Sequence, residues 1–230
     1  MGSLKDLRRR LIGPWIPGSA WLQPSYSQGG EDRVLKDLLE NKSTGYYVDI
    51  GCHHPFRFSN TYLFYRRGWN GLCVDALPGT VESFRKWRPR DLAIESGIAG
   101  HPGHLRYYRF NDPALNTFDE TLARERDGLR EYRIIDEVAV PVVTIKSLLD
   151  EHLPDGRAMD FWSIDVEGLD LGVLQGNDWT RYRPRIILVE MLGTELRTIG
   201  DDEVVKYLEA VGYEPCAKVQ RDVFFVRRDV

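Results

Sequence analysis

The sequence predicts a single α/β domain built on a mostly parallel sheet with helices on both faces. Two observations carry that prediction. Short apolar strands alternate with amphipathic helical segments along most of the chain, as stacked strand–helix units require. Five of those strands end in or beside an acid, namely Asp49, Asp75, Glu95, Asp165 and Glu190. In a parallel sheet these carboxyl ends share one edge, which is where ligands bind. A length of 230 residues fits one such domain with a small insertion.

The elements follow in order. Val34, Leu35, Leu38 and Leu39 recur at helical spacing from about Glu31, and Gly45 ends that helix. Tyr46-Tyr47-Val48-Asp49-Ile50 is a buried strand. Ser59-Asn60-Thr61 is placed to cap a helix through Tyr62, Leu63 and Tyr65, closed by Gly68. Gly71 to Asp75 is the second strand, Val81 to Trp87 a helix, and Leu92 to Ser96 the third strand. Leu105 to Phe110 alternates and reads as a strand near a sheet edge. Residues 111–137 are polar and charged and break the rhythm, so they predict an insertion over the top of the sheet that serves as a lid. Val142 to Ile145 then leads into a helix near Ser147 to His152. Met159 to Asp165 is the fourth core strand, Gly168 to Leu174 a helical turn, and Arg185 to Glu190 the fifth strand. A helix over Asp202 to Ala210 precedes a hairpin turning at Gln220-Arg221-Asp222.

Composition narrows the function classes. Apolar residues at 42% and charged residues at 29% describe a folded globule, not a disordered chain. A net charge of -4 gives no sign of a nucleic-acid partner. The three cysteines, Cys52, Cys73 and Cys216, form no CxxC pair and cannot all pair with one another, which points to a reducing compartment, the cytoplasm. No run approaches the roughly 18 apolar residues of a membrane span. Residues 1–25 form a separate N-terminal arm, with Lys5, Arg8, Arg9 and Arg10 preceding Leu11, Ile12, Trp15 and Ile16. Such an arm reads first as a solvated helix or loose tail, and otherwise suits a neighbouring subunit of a homo-oligomer or an anionic membrane surface.

The strand-end acids carry the chemistry. A carboxylate at the end of a second strand, here Asp75, can accept hydrogen bonds from both hydroxyls of a ribose, in adenosyl and dinucleotide ligands alike. The first loop separates those two classes. A pyrophosphate needs G-x-G-x-x-G, whereas Asp49-Ile50-Gly51-Cys52-His53-His54-Pro55-Phe56 offers only Gly51. Asp49 beside that loop suits a positively charged ligand instead.

Several blocks together resemble a known family. Tyr26-Ser27-Gln28-Gly29-Gly30-Glu31-Asp32, Tyr47-Val48-Asp49-Ile50-Gly51, Ser59-Asn60-Thr61, Gly68 through Asp75, Ser163-Ile164-Asp165-Val166-Glu167-Gly168 and Arg183 through Glu190 look like the FkbM-type methyltransferases, from about residue 26 onward. The resemblance implies a methyltransferase domain over 26–230 with a Rossmann-like methyltransferase fold, a seven-stranded sheet whose last strand is antiparallel. It also implies S-adenosylmethionine as cofactor and O-methylation of a small-molecule hydroxyl, on a sugar, a glycosylated natural product or a polyketide. By the same resemblance Asp49 and Gly51 belong to the cofactor loop and Asp75 to the ribose contact. Glu95 and Ser96 fall on the adenine side and Ser59 and Asn60 at the methionine end; Asp165, after the fourth strand, is a candidate both for cofactor contact and for catalysis. The first loop departs from the family's usual D-x-G-A-x-x-G, because His53-His54-Pro55 replaces its small residues and the later glycine is missing.

Methyl transfer from a sulfonium to a hydroxyl needs alignment and a proton acceptor. A neutral histidine fits that role, with an ordinary pKa of about 6.5. His54 and His53 are the candidates, His54 preferred, with loop support as the alternative role for either. Asp165, Glu167 and Glu190 form a candidate Mg2+ site that would lower the acceptor's pKa. Zinc fits less well, since the histidines lack partners at a zinc spacing. Tyr107, Tyr108 and Phe118 suit either an acceptor face or plain packing, while Trp69 and Trp162 read as core. A nucleotide-sugar or dinucleotide enzyme on the same fold, and an inactive scaffold, remain the competing classes.

Overall fold

A computed structural model describes residues 21–229. Residues 1–20, most of the predicted arm, lie outside the described residues. The chain enters through Ser25 and Ser27, whose hydroxyls donate to Asp32 Oδ1 at 2.7 and 3.2 Å, while the Tyr26 amide donates to Asp32 Oδ2 at 2.8 Å. These bonds account for the Tyr26–Asp32 block: a fully buried acid holds the incoming chain against the first helix, α1 (Glu31–Leu38).

Strands β1 (Tyr46–Ile50), β2 (Asn70–Asp75) and β3 (Leu92–Glu95) alternate with helices α2 (Tyr62–Tyr65) and α3 (Thr80–Trp87). The two-residue β4 (Gly97–Ile98) and the eight-residue β5 (Gly103–Phe110) then precede α4 (Glu120–Arg126) and the long β6 (Ile134–Val143). The pattern resumes with α5 (Ile145–His152), β7 (Phe161–Ile164), α6 (Asp170–Gln175), β8 (Ile186–Glu190) and α7 (Glu203–Ala210), and ends in the hairpin β9 (Tyr213–Val219) and β10 (Asp222–Arg227). Side chains at the helix starts cap α4, α5 and α7: Asp119 accepts from Leu122 N, Thr144 from Ser147 N and Asp202 from Val204 N.

The main sheet has seven strands in the order β3-β2-β1-β7-β8-β10-β9. All neighbouring pairs are parallel except those made by β10, which runs antiparallel to both β8 and β9. This is the mostly parallel α/β sheet with an antiparallel last strand that the sequence predicts. Period-2 alternation divides its side chains between two cores. Tyr47, Cys73, Phe161, Ile186, Leu188 and Phe224 face α1, α2 and α3 with Leu35, Phe64, Trp69 and Phe84. Val48, Val74, Trp162, Ile187, Val189 and Phe225 face α5, α6 and α7 with Leu148, Val173 and Leu208. Trp69, Trp162 and Cys73 are core, as expected. Among the described residues no helix is long and apolar enough to cross a membrane.

The structure departs from the sequence reading in the middle of the chain. Leu105–Phe110 does not edge the main sheet; β5 pairs with β6 in a separate three-stranded sheet of order β4-β6-β5. Residues 134–137, assigned to the insertion, are the start of β6. Their charges masked the strand: Arg106 lies 3.4 Å from Glu137 and Arg109 lies 3.1 Å from Asp136, as cross-strand ion pairs. The capping expectation at Ser59-Asn60-Thr61 is also redistributed. Ser59 Oγ accepts from Tyr62 N at 3.1 Å, and the Thr61 hydroxyl is diverted to Asp49.

Packing sets the ranking of core substitutions. Phe161 is wholly buried against Tyr47, Phe64 and Trp69, so Phe161→Ala is expected to cost about 3–5 kcal/mol in urea unfolding. Trp87 is 55% exposed, and Trp87→Ala is expected to change stability by no more than about 0.5 kcal/mol in the same measurement.

Candidate active site

The carboxyl ends of the parallel strands open into a cleft of about 410 Å³, a volume typical of small-molecule sites. Its floor is the turn after β1. Gly51 has φ +79, and a Cβ there would lie 1.8 Å from the Asp165 carbonyl oxygen. Only glycine permits this contact, which presses the β1 turn onto the turn after β7. Asn60 Nδ2 donates to Ser163 Oγ at 3.0 Å and ties the far end of the same loop to β7.

Of the residues assigned to a cofactor from sequence, Asp49, Gly51, Ser59, Asn60, Asp75, Ser96 and Asp165 all line this cleft. Glu95 does not. It is exposed on the edge strand β3 and its Oε2 accepts from Gly79 N at 2.9 Å, ordering the start of α3. Asp75 Oδ2 accepts from His53 N at 2.7 Å and Oδ1 from Leu77 N at 2.8 Å, so its carboxylate is fixed with a lone pair free on each oxygen.

The two histidines part ways. His53 lines the cleft with positive φ (48°), and its Nε2 is buried without a hydrogen-bond partner among the described residues. Burial, then Arg57 and His54, hold its pKa below the ordinary value, so the ring is neutral near pH 7. His54 is not in the cleft wall. Its Nδ1 accepts from the amides of Arg57 at 3.1 Å and Phe56 at 3.3 Å, and its ring meets Phe56 edge-on at 4.5 Å. His54 thus supports the loop.

The acids of the cleft are crowded and poorly solvated. Burial, opposed first by Arg88 and the Thr61 hydroxyl, lifts the Asp49 carboxyl to about 6. Asp165, Glu167 and Glu190 present oxygens that all lie within 4.8 Å of one another. Burial and their mutual repulsion push Asp165 and Glu190 upward, while Arg126, donating to Glu167 at 2.6 Å, restrains the rise at Glu167. Glu190 Oε2 is buried with no partner among the described residues. The residues predicted as metal ligands are therefore brought together.

Several participants escape a sequence reading. Arg88 and Asp91 form a side-chain ion pair at 2.6 Å with zero exposure on either partner. Arg88 also donates to the Pro55 carbonyl, to Ser59 Oγ, and through Nη2 to Tyr47 and Thr61, both at 2.9 Å. Thr61 passes that order on to Asp49, donating to its Oδ2 at 2.5 Å. Asp170 accepts from the amides of Val166 and Gly168 and shapes the acidic turn, where Glu167 and Gly168 both have positive φ. From the segment read as an insertion, Asp112, Asn116, Phe118 and Tyr132 reach the cleft wall, and Thr117 Oγ1 donates to the Glu167 carbonyl at 2.6 Å. Tyr107 and Phe118 also line the cleft, their rings 4.6 Å apart, whereas Tyr108 is packed with Phe110 and Ala123 in a small third core.

Comparison with known proteins places this geometry. The family described as Methyltransferase FkbM domain matches residues 49–215. Comparison with curated proteins finds no match. Among solved structures, the chain is similar to a TehB-like SAM-dependent methyltransferase from Corynebacterium glutamicum, with 15% identity, 96% of each chain covered and a TM-score of 0.42. It is similar to a 1,6-didemethyltoxoflavin-N1-methyltransferase from Burkholderia thailandensis at 11% identity, with 99% of this chain and 91% of that chain covered and a TM-score of 0.44. An O-methyltransferase from Bacillus cereus shows 10% identity, 96% coverage of each chain and a TM-score of 0.44. The family assignment stands on the domain match.

Two outcomes are expected from this electrostatic arrangement. Arg88→Met leaves Asp91 buried and unpaired and should cost about 3–5 kcal/mol in denaturant unfolding. The second concerns pH. Asp49, Asp170 and Asp222 are raised to about 6, 7 and 8, each chiefly by burial. A carboxyl whose folded pKa exceeds its unfolded value, about 4, stabilises the fold fully below that value and loses the contribution as pH rises through the folded pKa. Asp150, held low by Lys146 and Tyr182, acts only at lower pH. His53 and His54, whose pKa values are depressed, act in the opposite sense below about 6.5, so the melting temperature of ligand-free, chelator-treated protein should fall between about pH 6.5 and pH 8. A flat or rising profile would contradict the buried-acid account.

Proposed function

This chain belongs to the FkbM methyltransferase family, and we propose that it uses S-adenosylmethionine to methylate a hydroxyl of a small molecule, a sugar or polyketide-like acceptor. The observation that carries this reading is the row of carboxylates along one edge of the sheet, Asp49 and Asp75 buried and Asp165 and Glu190 half-buried. Their desolvation is unfavourable without a cation, and a sulfonium with an ammonium group supplies one. The same cleft fits a pyrophosphate poorly, because the β1 turn is filled by the Asp165 carbonyl and by His53 instead of open glycine backbone.

Each residue then has a task. Asp75, already oriented by two amides, accepts from ribose hydroxyls. Ser96 bounds the adenine side, and Asn60 with Ser59 bounds the methionine end next to Asp49. Bound S-adenosylmethionine supplies a methyl group activated by its sulfonium. His53, neutral and with Nε2 unpartnered, takes the acceptor hydroxyl's proton at that atom, the role for which the sequence had favoured His54. Residues 111–133, anchored to the acidic turn through Arg126 and Thr117, form the lid that excludes water, and Tyr107 with Phe118 offers the acceptor an aromatic face.

A second reading concerns a divalent cation. The convergence of Asp165, Glu167 and Glu190, with one Glu190 oxygen unpartnered, fits Mg2+, which binds through carboxylates and keeps several waters. These three residues would hold it, and it would acidify a hydroxyl bound beside it.

Calorimetry with S-adenosylhomocysteine tests the first reading. Binding to the wild type is expected, and Asp75→Ala should weaken it by roughly tenfold to a hundredfold, the worth of about 1.5–3 kcal/mol for hydrogen bonds to a charged group. Failure of the wild type to bind would refute the proposal. In methyl transfer to a panel of hydroxylated acceptors, His53→Asn, which tolerates the left-handed backbone, should lower kcat by about 10²–10⁴-fold, while His54→Ala should not. Activity unchanged after chelation would remove the metal.

A further inference from the structure

The sheet edge opposite the cleft carries the reverse charge. Arg157, Arg181, Arg183, Arg185 and Arg227 line one cavity of about 410 Å³ where the chain enters β7 and β8 and leaves β10. In a chain of net charge -4, five guanidinium groups around one hollow repel one another unless anions offset them.

Three of the five are stacked on tyrosine rings. Arg157 lies over Tyr46 at 4.9 Å, Arg181 over Tyr182 at 4.8 Å and Arg183 over Tyr213 at 5.5 Å. All three tyrosines are buried, so the rings fix the planes of the guanidinium groups and reduce the entropy lost on binding a ligand. The available acids balance only part of the charge. Glu40 meets Arg185 at 2.8 Å, Asp150 meets Arg181 at 2.5 Å and Asp229 meets Arg227 at 2.6 Å. The carboxylate in the cavity wall, Asp160, is engaged by Lys42 Nζ at 2.5 Å and by the Tyr46 amide at 3.0 Å. Among the described residues Arg157 and Arg183 have no carboxylate partner. Arg157 donates to Asn70 Oδ1 and Arg183 to the Trp179 carbonyl, both at 3.3 Å, which leaves other donors of each fork free.

We propose that this cavity binds a small ligand carrying two or more linked phosphate groups, at a site separate from the methyl-transfer cleft. Planar guanidinium forks match phosphate oxygens in pairs, and the two forks without a carboxylate, Arg157 and Arg183, with three further arginines around the same hollow, suit linked phosphates better than a single one. Inorganic diphosphate and a nucleoside diphosphate share this chemistry.

Calorimetry at physiological ionic strength with inorganic pyrophosphate, ADP and sulfate tests the proposal. Saturable 1:1 binding of pyrophosphate or ADP, tighter than sulfate and indifferent to S-adenosylhomocysteine, is expected. ADP binding well beyond pyrophosphate would identify a nucleotide source, and equal binding the inorganic one. Arg183→Lys keeps the charge but loses the fork, and it should weaken binding by about tenfold or more. Arg181→Gln alters an exposed side chain and should weaken binding without shifting the melting temperature. Pyrophosphate and ADP both binding no better than sulfate, affinity untouched by both substitutions, or displacement by S-adenosylhomocysteine would overturn the site. So would capture of RNA or anionic vesicles without pyrophosphate binding.

Discussion

Arg88 and Asp91 are buried together, and the cleft is assembled around them. Removing two charges from water costs several kcal/mol, which a single contact does not return. Here the guanidinium meets Pro55, Ser59, Tyr47 and Thr61 as well as Asp91, and Asp91 also accepts from Tyr47 Oη and Gly71 N. The pair is therefore fully hydrogen-bonded and joins β1, the loop after it, β2 and the end of α3. Arg88 places Thr61, Thr61 orients Asp49, and the loop between them carries His53. Geometry at the cleft thus descends from a buried ion pair beneath it, on the face of the sheet that carries Tyr47 and Cys73.

The charge distribution follows the polarity of the strands. Carboxylates gather where β1, β2, β7 and β8 end, and arginines gather where β7 and β8 begin. Desolvation makes the first group costly in the ligand-free chain, as the raised pKa of Asp49 and Asp170 records. A site that is destabilised when empty gains the most from its ligand, because binding relieves a cost already built into the fold.

Much of this was legible in the sequence because periodicity and strand-end acids are local signals. The individual strands and the acids at their ends follow from apolar spacing and turn residues, while the seven-stranded sheet and its antiparallel last strand follow from the family resemblance. What escaped depends on partners distant in sequence. Arg88 and Asp91 sit in an Arg-Pro-Arg-Asp stretch that reads as solvated, and only contacts 27 to 41 residues away bury the arginine. His53 and His54 are indistinguishable as letters; only the folded loop, with its left-handed turn at His53, puts His53 in the cleft wall and leaves His54 outside it. Glu95 matched the strand-end pattern, yet β3 is an edge strand and its acid serves the next helix. Residues 134–137 looked like loop because the opposite charges that neutralise them lie on β5.

The order of the strands has a consequence for biosynthesis. β10 is made after every other strand of the sheet, yet it lies between β8 and β9 and sets Asp222 opposite Glu190. While the last turn is still inside the ribosome, β8 is an open apolar border and β9 has no neighbour to join. The nascent chain must keep that border protected until the closing hairpin emerges and docks as a unit. Loss of β10 would expose the apolar margin of β8 and leave β9 unpaired, a surface prone to aggregation.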